Sequence, residues 1–171
     1  MKILFEAVRR KMMLALVTAA AVSIGSSSDD AIAGNFCTDI NRLVAEAPED
    51  FSDVIIESGR GSGGFDVTLK LEGASNCAVR RLLHAKSYYC TWEFQHRDVN
   101  AYKVFEELGQ KLKSCVGGDA ILSNDQGVNH PDFYDARIFQ LDDVKVAVSV
   151  KDKSTLGATY VFVSVERLKG S

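Results

Sequence analysis

The sequence has one long apolar run, no excess of positive charge and no C-x-x-C motif, and each of these absences excludes a class of protein. The apolar run covers residues 12–24, and no second run of that length follows it, so no later segment is expected to cross a membrane. The chain has 20 Lys and Arg against 23 Asp and Glu. Because the basic residues are scattered among acidic ones, no electrostatic footprint for nucleic acid or anionic lipid is visible.

The N-terminus has the order of residues found in an export signal. Three basic residues at 9–11 precede the apolar run, and a small-residue triplet, Ala-Ile-Ala, stands at 31–33. This order is typical of a cleavable signal peptide. A membrane anchor is the alternative, but a helix over residues 12–24 reaches only about 20 Å, short of a hydrocarbon core of about 30 Å. We therefore predict a signal peptide at residues 1–33.

Residues 34–171 are then expected to form the mature protein as a single domain. The leader holds four basic and three acidic residues, so the net charge of −3 for the whole chain becomes about −4 after cleavage. A chain of this length buries a substantial core by itself. No internal repeat, low-complexity tract or linker divides it.

Four cysteines, Cys37, Cys77, Cys90 and Cys115, all lie in the predicted mature domain. In an oxidising compartment an even count is typical of a disulfide frame, although sequence alone leaves three pairings open. Cys77 and Cys90 lie in consecutive strand-like runs, whereas Cys37 opens one helical pattern and Cys115 ends another. We favour Cys77 with Cys90 and Cys37 with Cys115. Without C-x-x-C or closely spaced histidines, a zinc site or a redox-active thiol pair is disfavoured, and no metal or cofactor is expected.

Apolar periodicity predicts two helices. Thr38 is expected to cap the first, which Pro48 stops, and Asp98 to cap the second, whose apolar stripe ends at the glycine pair at 117–118. Alternating apolar and polar residues predict strands at 65–71, 77–83, 87–95, 133–141, 144–150 and 159–168. Residues 116–132 are expected to form a polar loop in which 120–122 touch the core. The prediction is an α+β fold, with two helices packed on one face of an antiparallel sheet of about six or seven strands.

One strand presents a possible binding surface. Tyr88, Cys90 and Trp92 share its apolar face, and the opposite face carries Tyr89, Thr91, Glu93 and Gln95. The alternative is an ordinary solvated sheet face. The long loop would form the edge of the surface, so His130 and Asp132 are added to it, because long loops are often functional.

Three further patterns suggest catalysis or cofactor binding less strongly. His130 with Asp132 and Asp135 would suit an acid–base or metal cluster, but loops draw Asp for turn chemistry alone. His96 stands where the tryptophan strand turns into the second helix, which favours a solvated turn. Residues 59–64 match G-x-G-x-x-G but open a strand rather than a helix, so a hairpin loop is favoured over a nucleotide site.

A resemblance rests on Gly73-Ala74 followed by Cys77, on Tyr89-Cys90 followed by Trp92, and on the second helix ending at Cys115. Over about residues 70–116 the chain resembles short exported four-cysteine proteins of unknown function from Gram-negative bacteria. The resemblance implies an exported, disulfide-bonded protein. It implies no activity and no site residue.

The predicted function is that of a small, non-enzymatic binding protein, periplasmic or secreted, of the inhibitor, immunity or envelope-accessory type. Its expected partner is another protein in the envelope or outside the cell, with no nucleic acid and no stable membrane anchor after cleavage. One alternative is a small periplasmic hydrolase using His96 or His130 with a carboxylate. Another is a small-ligand carrier using the space between helices and sheet. The oligomeric state is left open.

Overall fold

The computed structural model describes residues 28–56, 64–81, 85–123 and 133–168. Two α-helices and seven strands make up most of this part of the chain. In chain order they are α1 (Ser28–Glu46), β1 (Gly64–Asp66), β2 (Asn76–Arg81), β3 (Lys86–Gln95), α2 (Val99–Val116), β4 (Ile121–Ser123), β5 (Tyr134–Leu141), β6 (Val144–Lys153) and β7 (Ala158–Arg167). Short 3-10 helices cover Ala47–Glu49 and Ser154–Leu156.

All seven strands form one antiparallel sheet in the order β1-β2-β3-β7-β6-β5-β4. The chain builds the sheet from both edges inward, so β3 and β7 pair with each other near its centre. Strands β1 and β4 form its edges. Helix α2 contacts β3, β5, β6 and β7, and α1 contacts α2 and β7. The predicted α+β fold is confirmed.

Helix α2 forms where its capping residues and apolar stripe predict it. The Asp98 carboxylate accepts a hydrogen bond from the Asn100 backbone N–H at 2.8 Å, which satisfies one of the free donors at the helix start. Gly117 ends the helix with a φ of 72°, a conformation that costs glycine little. The buried stripe of Ala101, Phe105, Leu108 and Leu112 packs against the sheet.

Both favoured disulfides are present. Cys37–Cys115 joins α1 to the end of α2 and closes a sequence separation of 78 residues, and Cys77–Cys90 joins directly paired residues of β2 and β3. Two disulfides indicate a protein that folds outside the reducing cytosol. No helix in the described part of the chain is long and apolar enough to cross a membrane.

The first helix and the first strand differ from their predictions. Helix α1 begins at Ser28, so Thr38 lies inside the helix and does not cap it. The residue types at 28–30, Ser-Asp-Asp, are themselves favourable at a helix start. The strand predicted at 65–71 pairs only over Gly64–Asp66, followed by a single bridge between Ile55 and Val67. The burial of residues 65–72 still alternates, because apolar side chains pack inward without a continuing ladder.

The stretch expected to be a loop contains a strand. Residues Ile121–Ser123 form β4 by pairing with β5, and a strand this short gives no usable periodicity. Of the three residues predicted to touch the core, Ala120 packs against it, whereas Ile121 and Leu122 are 56% and 74% exposed, because an edge strand has a neighbour on one side only. The predicted signal peptide up to residue 27 lies outside the described residues.

Candidate functional site

The two faces of β3 have opposite surroundings. Tyr88 and Cys90 are fully buried and Trp92 is 7% exposed, and the Phe51 ring that follows α1 lies 6.1 Å from the Tyr88 ring. These residues face the helix layer. Tyr89 and Thr91 are half-buried, and Glu93 and Gln95 are exposed, on the face that points away from the helices. The predicted surface residues of β3 therefore share one face.

Strand β7 adds two aromatic residues to that face. Thr91 pairs with Phe162 and Glu93 pairs with Tyr160, and both aromatic side chains are half-buried. Their ring centroids are 5.9 Å apart with an interplanar angle of 34°. We use the name outer face for the set Tyr89, Thr91, Glu93, Gln95, Tyr160 and Phe162.

Beside the outer face, β6 presents short side chains. Ala147 pairs with Ser164, and Ser149 pairs with Phe162. Further along β6, the Lys151 ammonium lies 5.9 Å from the centroid of the Tyr134 ring on the neighbouring strand β5. The aromatic side chains of β7 therefore border a lower strip of alanine and serine.

Hydrogen bonds to β2 and to the turn before it hold the outer-face residues of β3. The Thr91 hydroxyl donates to the carbonyl of Asn76 at 3.3 Å. The Ser75 hydroxyl accepts from the Glu93 backbone N–H at 3.2 Å. The Glu93 carboxylate itself is exposed and pairs with no cation in the described part of the chain.

His96 does not form the pair that the hydrolase alternative requires. Its backbone N–H donates to the carbonyl of Gly157 at 3.1 Å, and its imidazole makes no hydrogen bond or ion pair with a carboxylate among the described residues. His130 and Asp132 lie outside the described residues. Asp135 pairs with Val150 on β6, which puts it on the helix side of the sheet, away from the outer face.

A polar network that sequence reasoning missed lies below the start of α2. The Asp152 carboxylate is 2% exposed and accepts hydrogen bonds from the Thr159 hydroxyl at 2.6 Å and from the Tyr102 hydroxyl at 3.2 Å. Arg97, at 3.7 Å, is its ion-pair partner. Burial, together with the Asp152 charge, raises the pKa of Tyr102, so its hydroxyl remains a donor. Because Asp152 and Thr159 are both buried, this network fastens the start of α2 to the sheet.

The structure supplies a local reason for the last glycine of the G-x-G-x-x-G match. A Cβ added to Gly64 would lie 2.9 Å from the backbone oxygen of Val79 on β2, so close strand pairing explains this glycine. Residues 57–63 lie outside the described residues. No group of three or more His, Cys, Asp or Glu side chains within the described ranges is placed to hold a metal ion.

Comparison with protein-family models finds no match, and comparison with curated proteins finds no significant relative. The function is therefore argued from the residues of this chain.

Proposed function

We propose that the protein is a small exported binding protein, periplasmic or secreted, that holds a protein partner against the outer face of its sheet. Inhibitor, immunity and envelope-accessory proteins are the functional types that fit this description. The proposal depends most on one observation. Tyr89, Tyr160 and Phe162 lie on the sheet face that points away from the helices, and the rings of Tyr160 and Phe162 are in contact.

The composition of the outer face favours protein recognition. Tyrosine and phenylalanine are enriched where proteins meet, because a rigid ring supplies a large contact area at a low cost in conformational entropy. Thr91, Glu93 and Gln95 add hydrogen-bonding groups around these rings. The two disulfides support export, and the resemblance to short exported four-cysteine proteins points the same way.

The test is capture of a partner from the compartment to which the protein is exported. The purified protein is immobilised and compared with the double variant Tyr89→Ala/Tyr160→Ala, which removes two rings from the outer face. Val99→Ala is the matched control, because Val99 is an apolar residue that is 66% exposed in the helix layer.

We expect one discrete partner to be retained by the unmodified protein and by Val99→Ala, and at least about tenfold less by the double variant. Equal retention by all three proteins, or retention of nothing by the unmodified protein, would refute the proposal. Circular dichroism spectra establish that each variant is folded before it is compared.

A further inference from the structure

Two positive charges face each other across the β2–β3 ladder. Arg81 pairs directly with Lys86 in the register of these strands, and Arg80 precedes Arg81 in β2. Like charges at directly opposed positions destabilise a sheet. The fold therefore carries an unfavourable pair at the end of this hairpin, and we use the name cationic end for Arg80, Arg81 and Lys86.

The Arg81 and Lys86 side chains both lie near the ring of Phe65. The Arg81 guanidinium carbon lies 5.4 Å and the Lys86 ammonium 5.2 Å from the centroid of the Phe65 ring. Phe65 on β1 pairs with Val79, two residues before Arg81. Cation–π attraction to one ring keeps the two charges close together in spite of their repulsion.

The described residues offer the cationic end no carboxylate partner. Five other basic side chains, Arg97, Lys113, Arg137, Lys145 and Arg167, each have an acidic partner. Arg80, Arg81 and Lys86 have none within ion-pair distance in the part of the chain that the structure describes. In a chain with a net charge of −3, these three cations lie together at the end of one hairpin.

The cationic end adjoins the outer face. Ala78 pairs with Tyr89, and Arg80, two residues further along β2, pairs with Ser87. Alternation along the strand therefore puts Arg80 on the same side of the sheet as Tyr89, whereas Arg81 and Lys86 point to the other side. A partner seated on the outer face can reach Arg80 and extend around the end of the hairpin.

We propose that the cationic end binds an acidic segment of the protein partner, through the partner's Asp and Glu carboxylates. The inference rests on the proposed function, since it specifies the chemistry of that partner. Arginine suits carboxylates because its planar guanidinium donates two parallel hydrogen bonds. A bound carboxylate also relieves the repulsion between Arg81 and Lys86. Membrane recognition is disfavoured, since polybasic lipid sites use clusters of about four to eight basic residues.

The direct test uses a fluorescent oligoglutamate peptide as the probe. Binding to the purified protein is measured by fluorescence polarisation at low and at physiological ionic strength. We expect binding that weakens as salt is added, and a loss of at least about tenfold in affinity in the double variant Arg81→Gln/Lys86→Gln. Lys111→Gln is the matched control, since Lys111 is a cation stacked on another ring, with its ammonium 5.9 Å from the centroid of Phe36.

A charge reversal gives a second, independent measurement. Lys86→Glu places an acid opposite Arg81, so we expect a higher midpoint of thermal unfolding together with loss of peptide binding. A lower midpoint would mean that the native pair is not repulsive and would overturn the argument. Unchanged binding in the double Gln variant, or no binding by the unmodified protein, would also overturn it.

Binding to phosphatidylglycerol vesicles distinguishes a membrane surface from an acidic protein segment as the target of the cationic end. Vesicle binding that exceeds peptide binding and is lost in the same variants would assign the cationic end to a membrane surface and overturn the protein assignment. Because these assays use defined probes, their failure is distinct from failure of partner capture by the outer face. Tyr89→Ala, which leaves all three cations in place, is expected to keep oligoglutamate binding.

Discussion

Tyr88 and Tyr89 are neighbours in β3, yet they belong to two different surfaces of the molecule. The Tyr88 side chain is fully buried, and its hydroxyl donates a hydrogen bond to the carbonyl of Leu69 at 2.9 Å. Burial raises the pKa of Tyr88 far above its ordinary value. Tyr89 is half-buried on the outer face, opposite Ser164. The comparison indicates that one face of the strand stabilises the fold, while the other is the face on which we propose that recognition takes place.

The largest expected effect is the loss of the buried ring. Tyr88→Ala removes an aromatic side chain from the core and leaves a cavity, which typically costs about 3–5 kcal/mol of unfolding free energy. Tyr88→Phe keeps the ring but loses the hydrogen bond to the Leu69 carbonyl and the contact of the hydroxyl with the Cys90 sulfur at 3.0 Å, at a cost of about 1–2 kcal/mol. Urea unfolding measures both. A cost below about 1 kcal/mol for Tyr88→Ala would contradict the division between the faces.

The Cys37–Cys115 disulfide tests the same comparison, because it joins the two helices that cover the buried face of the sheet. Removing it with Cys37→Ala/Cys115→Ala opens a loop of 78 residues, and the chain-entropy model predicts a loss of about 4 kcal/mol. Chemical denaturation with and without a reducing agent is the measurement. We expect the reducing agent to destabilise the unmodified protein more than the variant, which has only Cys77–Cys90 left to lose. An equal effect on both would mean that the interhelical bond contributes little.

A smaller effect is expected where α2 begins. Asp152→Asn keeps the shape of the side chain but removes its charge and one acceptor from the Thr159 and Tyr102 hydroxyls, so we expect a loss of about 2 kcal/mol. Arg97→Gln is the matched comparison, because the Arg97 side of the ion pair is 68% exposed, and screening by solvent limits such a contribution to about 1 kcal/mol or less. Thermal unfolding of both variants tests this order, and a larger loss in Arg97→Gln would reverse our assignment of the network.

Local sequence patterns were sufficient to predict most of the fold. The Asp98 cap and the glycine stop delimit α2 because capping and left-handed backbone depend on single residue types. Alternation located β3, β5, β6 and β7 to within a few residues. Both disulfides were ranked correctly because each joins elements that the pattern had already placed.

Other features depend on contacts between distant parts of the chain. Tyr160 and Phe162 join the outer face only through the pairing of β3 with β7, and Arg81 meets Lys86 only in the register of β2 with β3. Asp152 lies at the end of β6, and its partner Tyr102 comes from α2. No local period reveals such pairs. The prediction that Thr38 caps the first helix is wrong for a related reason. A capping residue type carries no information about whether the helix has already begun upstream, and α1 begins at Ser28.

The most direct measurement of the two-face account is made on Tyr89→Ala, by determining its unfolding free energy and its retention of the partner in parallel. The account predicts a loss of less than about 1 kcal/mol in stability, as expected for a half-exposed residue, together with loss of partner binding. A stability loss as large as that of Tyr88→Ala, or partner retention equal to that of the unmodified protein, would contradict it.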